Sequence, residues 1–349
     1  MQTKIVKINP NFPDRGLIKD AAEVLKKGGL VAFPTETVYG IAANLLNSNA
    51  IKRLCAVKKR PAGKPFSIHI ARFETIKDLR VDLSEKAKRI IHKFWPGSLT
   101  IVAFNNKKEK IGIRMPSNKI ALALINAASI PIVAPSANIS GENPPTSAKE
   151  VISEMKDAID MVLDGGTTEA GKESTVLDVT AHPFKILRRG AIPEEDLLAD
   201  CHVLFVCTGN SCRSVMAKGM LQKFIKEAVL SEKVQVDSAG TGGFGNIPAA
   251  TNTIEVMKEE GMDVSTHKGK VITPELLRKS DFIFTMESFH KNIALSMLPE
   301  AASKTRLLKE GEDIPDPIGK SLDEYRYVKG IIKNQVENIF LELFKKEKN

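Results

Sequence analysis

Short apolar runs alternate with amphipathic stretches from one end of the chain to the other. Leu17–Lys27 carries a helical period and is closed by Gly28-Gly29. Leu30–Phe33 is a short apolar run ending at Pro34, the pattern of a buried strand. Further strand patterns fall at Phe66–Ile70, Leu99–Phe104, Ile111–Arg114, Ile130–Val133 and Thr175–Val179. Helical patterns lie between them at Ser48–Lys58, Ser84–Phe94 and Lys119–Ala128. After a Pro-containing acidic stretch a second rhythm begins. Its strands are Val203–Val206, Val234–Asp237 and Phe282–Thr285, and its helices Ser214–Ala228, Ala250–Glu260 and Leu322–Lys345. Alternating β and α elements predict α/β architecture, with a doubly wound parallel sheet in the second half. We therefore expect a first domain at 1–191, a linker at 192–201 and a second domain at 202–349.

Composition narrows the classes. No apolar run is long enough to span a membrane, and the first residues lack the apolar stretch of a signal peptide, so we expect a cytoplasmic protein with no membrane partner. Of the 349 residues only Cys55, Cys201, Cys207 and Cys212 are cysteines. Their spacing suits neither a disulfide scaffold nor a zinc site, and predicts reduced thiols and no resident metal. Residues 1–200 carry 30 Lys+Arg against 22 Asp+Glu, whereas residues 201–349 carry 21 against 20. The basic half suits a polyanion such as a nucleotide or RNA; an ordinary solvated basic surface fits the charge equally well.

In the second half, Cys207-Thr208-Gly209-Asn210-Ser211-Cys212-Arg213-Ser214 follows an apolar strand and opens a helix. Backbone N–H groups in such a loop form a nest for phosphate. Arg213 adds a bidentate fork. The local positive potential is expected to lower the Cys207 pKa and make a nucleophilic thiolate, with Ser214 bonding the sulfur. Asp316, stiffened by Pro317, is the candidate leaving-group acid. Together with Asp237-Ser238-Ala239-Gly240-Thr241 these residues resemble the low-molecular-weight protein tyrosine phosphatase family. The resemblance implies a phosphocysteine at Cys207, phosphate binding by Arg213 and the loop Thr208–Ser214, and a phosphoprotein substrate. Ser211, a small hydroxyl where tyrosine phosphatases carry an aliphatic residue, resembles the protein-arginine phosphatase branch; a tyrosine-specific enzyme is the alternative.

Two motifs are decoys. Gly240–Gly245 spells GxGxxG, but Asn246-Ile247-Pro248 separates it from the next helix, so a pocket-side loop with Phe244 as a wall is expected. Gly166–Glu173 nearly spells a Walker loop, yet Glu173 replaces the hydroxyl residue and a strand pattern follows.

The first half holds Pro34-Thr35-Glu36-Thr37-Val38-Tyr39-Gly40, the pair Lys58 and Arg60, Lys64, Trp95-Pro96-Gly97, Arg114, Ser136-Ala137-Asn138, Ser174-Thr175 and Arg188-Arg189-Gly190. Many follow strand ends, where open α/β sheets build sites. Lys58, Arg60, Lys64, Arg114 and Arg188 are suited to converge on a triphosphate, although any one cation is more often a surface charge. Trp95 reads as a structural anchor. Residues 4–190 resemble the YrdC-type threonylcarbamoyl-AMP synthase family, which implies an open twisted α/β domain. The implied reaction joins L-threonine, bicarbonate and ATP, with ATP as substrate, Mg²⁺ accompanying it and no tightly bound cofactor. By that resemblance Lys58, Asn138, Thr146 and Arg188 contact ATP, and Thr35, His69, Ser136 and Ser174 hold threonine. The product would pass to a tRNA threonylcarbamoyl transferase complex for adenosine 37, with a possible tRNA contact. The alternative is an RNA-binding module joined to an inert phosphatase fold.

Overall fold

The structure, a computed structural model, describes residues 2–60, 65–181, 183–243 and 245–345. Lys64 and Phe244 lie outside the described residues. The chain divides into two compact units, Met1–Glu194 and Glu195–Asn349.

The first unit is built on β1 (Lys4–Lys7), β2 (Val31–Phe33), β3 (Gly40–Asn44), β4 (Ile68–His69), β5 (Val81–Asp82), β6 (Leu99–Asn105), β7 (Lys110–Arg114), β8 (Ile132–Val133), β9 (Met161–Asp164), β10 (Thr175–Asp178) and β11 (Lys185–Arg188). They run in the order β1-β9-β2-β3-β8-β4-β7-β6-β10-β11, with β5 on β6. The sheet is mixed: β4 and β7 are parallel, as are β6 and β10, whereas β6 and β7 are antiparallel. Helix Arg15–Lys26 starts where the Asp14 carboxylate accepts the Gly16 and Leu17 N–H groups, a side-chain N-cap. Its apolar stripe, Ile18, Ala22 and Leu25, buries against Leu124 and Ala128 of helix Lys119–Ala128.

The strand expected at Phe66–Ile70 shortens to Ile68–His69. β1, β3, β5, β9 and β11 and helices Thr75–Asp78 and Ala148–Met155 are not announced by the sequence pattern. The reason is local: β3 is Gly-Ile-Ala-Ala-Asn, buried at every position, so it shows no alternation. β11 is four residues flanked by charge. Trp95 is fully buried and its indole N–H donates to the Leu99 carbonyl at 2.7 Å. That contact anchors the turn into β6. Within the stretch expected as linker, Glu194–Leu198 is helical and Leu197 is buried. There the Asp196 carboxylate takes the Lys279 ammonium at 2.8 Å.

The second unit has β12 (Cys201–Cys207), β13 (Val234–Gly240), β14 (Phe282–Thr285) and β15 (Thr305–Leu307), all parallel in the order β13-β12-β14-β15. β12 is central. Its Val203 and Phe205 face a core with Met216, Met220, Val328 and Ile332 from helices Arg213–Glu227 and Leu322–Phe344. Its Leu204 and Val206 face a second core with Leu277, Ala294 and Leu298. Burial on both faces is what a doubly wound parallel sheet demands of its central strand. β13 is added on one side of β12 and β14 on the other, so the strand order switches at β12, and Cys207, its last residue, stands at the crevice where such sheets place ligands.

Gly240 is the Cα partner of Cys207. A Cβ there would sit 2.6 Å from the Thr208 carbonyl and 3.0 Å from the Asn210 nitrogen, both backbone atoms. We expect Gly240→Ala to cost about 1–3 kcal/mol through overpacking, and to speed hydrogen exchange of the β12 and β13 amides. Wild-type exchange in the variant would show that the loop has room.

Candidate active sites

In the first unit Lys58 follows helix Ser48–Val57, whose N-terminus Asn47 caps. The lysine is buried, and its ammonium donates to the Ser136 and Asn138 carbonyls at 2.5 and 2.7 Å. The Ser140 N–H returns a bond to the Lys58 carbonyl at 2.9 Å. Burial pushes the Lys58 pKa down to about 8, helped by Arg60, while Glu173 and Glu154 oppose the shift. The Asn138 amide N–H₂ is used on the Ile139 and Glu142 carbonyls, and its Oδ1 is buried without a partner among the described residues.

A second node gathers around Arg114 at the end of β7. Its guanidinium donates to the Glu36 carboxylate and to the Thr37 hydroxyl, and Glu36 also accepts the Ser117 N–H. Both members of the pair are under a tenth exposed. Thr35 shapes the loop beneath: its hydroxyl donates to the Val38 carbonyl and accepts the Thr37 and Val38 N–H groups. His69 is the β4 neighbour of Arg114. Burial, then the Arg114 charge, pushes its pKa down to about 3, so the ring is neutral.

A third node lies where β10 meets β11. The Ser174 hydroxyl pairs with Thr100 at 2.8 Å, and Arg188 donates to the Ser174 hydroxyl and carbonyl at 3.0 and 3.1 Å. Arg188 also pairs with Glu173. Burial pushes its pKa down; Glu173 opposes and Arg114 adds to the fall.

The structure thus joins Lys58, Ser136 and Asn138 directly and Ser174 with Arg188, and the charge of Glu173 is felt by both cations. Arg60 turns to its own loop, donating to the Pro65 carbonyl and lying 4.6 Å from the Phe66 ring centre. Thr146 is held by Glu150. Reasoning from sequence gave no role to Glu36, which sits inside the Pro34–Gly40 motif. It weighed Glu173 only as a misfit in a Walker loop. The strand β10 after Glu173 rules out a helix-opening phosphate loop there.

In the second unit the loop after β12 wraps the Cys207 sulfur. The Ser214 hydroxyl is 2.9 Å from Sγ, and the Asn210 N–H donates to it at 3.3 Å. Asn210 takes the left-handed conformation, φ 55°, which Asn tolerates better than most residues. Its side chain bonds Ser214 and the Lys270 N–H, and His267 meets its carbonyl oxygen. Arg213 is 1% exposed and donates to Glu287, Asp316 and the Ile314 carbonyl. Cys207, Thr208, Ser211, Arg213, Asp316 and Ile318 are among the residues lining a pocket of about 150 Å³. Gly209 and Cys212 line it too, and the Cys212 sulfur lies 3.4 Å from the Tyr325 hydroxyl. Gly240 ends β13, and among the described residues the next helix starts only at Thr251, so the GxGxxG spelling is no dinucleotide turn.

One expectation is reversed. Burial pushes the Cys207 thiol up; the Ser214 and Asn210 hydrogen bonds and the Arg213 charge oppose it without winning. The guanidinium is already shared between two carboxylates, Glu287 and Asp316. Glu287 had no motif to announce it.

Residues 23–190 match the Sua5/YciO/YrdC family model, described as telomere recombination, and residues 202–349 match that of the low molecular weight phosphotyrosine protein phosphatases. A solved structure of Sua5 from P. abyssi with two substitutions is 30% identical, with TM-score 0.53, over 88% of this chain and 100% of that one. The chain belongs to the Sua5/YrdC threonylcarbamoyl-AMP synthase family and carries a low-molecular-weight phosphatase domain. P. abyssi Sua5 complexed with L-threonine gives TM-score 0.54 at 26% identity, over 96% of this chain and 98% of that one. Threonylcarbamoyl-AMP synthases of Pyrococcus abyssi and Bacillus subtilis are each 41% identical, over 58% and 56% of this chain. The chain spans about three fifths of the length of these two curated relatives, 63% and 59%. Among the described residues no helix is long and apolar enough to cross a membrane.

Two outcomes follow from the geometry. Glu36→Ala strands the buried Arg114 charge and is expected to cost about 3–5 kcal/mol, read as a fall in the denaturation midpoint. Cys207 alkylation by iodoacetamide, resolved by mass spectrometry, should keep rising with pH past the free-thiol range of about 8.5, because the thiolate form is disfavoured. A plateau by neutral pH would mean that the loop's positive potential outweighs burial.

Proposed function

We propose that the first unit makes threonylcarbamoyl-AMP from L-threonine, bicarbonate and ATP, for transfer to tRNA. The observation that carries this reading is the junction of Lys58 with Ser136 and Asn138, its charge coupled through Glu173 to the Ser174–Arg188 pair. The likeness to a relative solved with L-threonine supports it. In this reading the threonine amine bonds to CO₂ derived from bicarbonate. The carbamate oxygen then attacks the α-phosphorus, and the bond to pyrophosphate breaks. Lys58 and Arg188 offset the charge building on the phosphates, and the Asn138 Oδ1, without a partner among the described residues, offers an acceptor to a nucleotide N–H or O–H. Among the described residues no group of three His, Cys, Asp or Glu side chains is placed to hold a metal. Glu36 and Glu173 are each paired with an arginine. In this reading Mg²⁺ would enter with the nucleotide's phosphates. Ordinary reduced thiols and these substrates suit the cytoplasm.

The test is pyrophosphate release from ATP. It should require both threonine and bicarbonate; release that needs neither would favour the RNA-binding alternative. The KM for ATP should rise above about pH 8, where Lys58 loses its proton, by up to about tenfold per pH unit for one lost charge. The sign is fixed by depression of the lysine: the folded protein sheds this proton before the unfolded chain does.

For the second unit we infer a cysteine-dependent phosphatase acting on phosphoproteins, with phosphoarginine as the favoured substrate. Ser211, a hydroxyl on the pocket wall, supports that choice. Cys207 attacks phosphorus, Asp316 protonates the leaving group, and water then releases phosphate from the phosphocysteine. Cys207→Ser should abolish hydrolysis of an aryl phosphate. Phosphoarginine peptides should be cleaved at least about tenfold faster than phosphotyrosine peptides, by differential transition-state binding. The reverse order would assign a tyrosine phosphatase.

A further inference from the structure

His290 stands in the first turn of helix Ser288–Met297 and is fully buried. Its Nε2 lies 2.9 Å from the Thr208 hydroxyl, and its Nδ1 is buried without a partner among the described residues. The same hydroxyl takes a longer bond, 3.4 Å, from Arg213 Nη2. Thr208 lines the Cys207 pocket. One helix start thus sends Glu287 to Arg213 and His290 to Thr208.

The orphaned nitrogen decides the tautomer. With the ring proton on Nδ1, a buried N–H would have no acceptor. With the proton on Nε2, only a lone pair goes without a donor. Buried N–H groups without acceptors are the rarer case, and the bond made by one ring nitrogen fixes the state of the other. Nε2–H therefore donates to Thr208. Burial pushes the His290 pKa down against the nearby carboxylates Glu287, Asp316 and Asp313, and the Arg213 charge acts in the same sense as burial. The Thr208 oxygen then accepts from both His290 and Arg213. A hydroxyl has two lone pairs and one proton. With both lone pairs engaged, its proton is directed to the pocket that Thr208 lines.

We propose that His290 is a positioning residue that makes the Thr208 hydroxyl a hydrogen-bond donor to the phosphoryl oxygens held over Cys207. The proposal rests on the phosphatase reading of this unit and adds a side-chain donor to its backbone nest. No bond forms or breaks at either residue; the donor strengthens as charge grows on the oxygens.

The experiment is a double-mutant cycle on the full chain. Its probes are para-nitrophenyl phosphate for turnover and inorganic phosphate for binding. Thr208→Val and His290→Phe should each lower kcat/KM and phosphate affinity by about tenfold or more, the worth of a hydrogen bond to a charged group. The double variant should be no worse than either single one. His290→Gln, which keeps a side-chain N–H, should recover most of the loss. Losses that multiply in the double variant, a Thr208→Val enzyme as fast as wild type, or His290→Gln as poor as His290→Phe would each overturn the proposal. If Cys207→Ser abolishes turnover while Thr208→Val does not slow it, the phosphatase reading stands and this inference alone falls. If the wild type neither turns over the aryl phosphate nor binds phosphate, both fall together.

Discussion

A cation withdrawn from water has to be surrounded by oxygen, and both units are organised by that requirement. Lys58 meets it with two backbone carbonyls, Arg114 with Glu36 and Thr37, and Arg213 with Glu287, Asp316 and the Ile314 carbonyl. Desolvating an unpaired charge costs several kcal/mol. Each cation therefore dictates the path of loops that would otherwise be free to wander. The Ser136–Asn138 turn is drawn to Lys58, the Pro34–Gly40 loop to Arg114, and the Asp316 loop to Arg213.

How far this could be read in the sequence depends on whether the partner lay nearby in the chain. Cys207, Asn210, Arg213 and Ser214 form one loop, and their mutual geometry follows from a strand leading into a helix. The chain gave Asp316 away through its proline neighbour. Glu287 and His290 lie on a helix with no motif of their own, and they reach the loop only through parallel pairing of β12 with β14. Glu36 was visible yet unassigned, because nothing local shows that β7 will deliver Arg114 to it. Lys58 and Asn138 were both singled out, but a lysine buried between carbonyls is a tertiary fact. The pKa of Cys207 departs from its motif for a related reason: the positive potential of the loop is local, whereas the burial that opposes it comes from the whole unit.

The sheets tell the same story. The second unit was legible because a doubly wound parallel sheet writes its strands as short apolar runs between helices. The first unit pairs strands of two to seven residues in both senses. Two-residue strands such as β4 and β8 exist only because their neighbours do. β4 nevertheless places His69 beside Arg114, so one of the least predictable elements delivers a candidate site residue.

The chain has a single tryptophan. Trp95 is sealed in the first unit beside Phe73, at a ring separation of 6.4 Å, and the second unit contains none. Indole emission consequently originates wholly in the first unit. The molecule carries its own optical label for one of its two units, so unfolding there can be followed without modifying either.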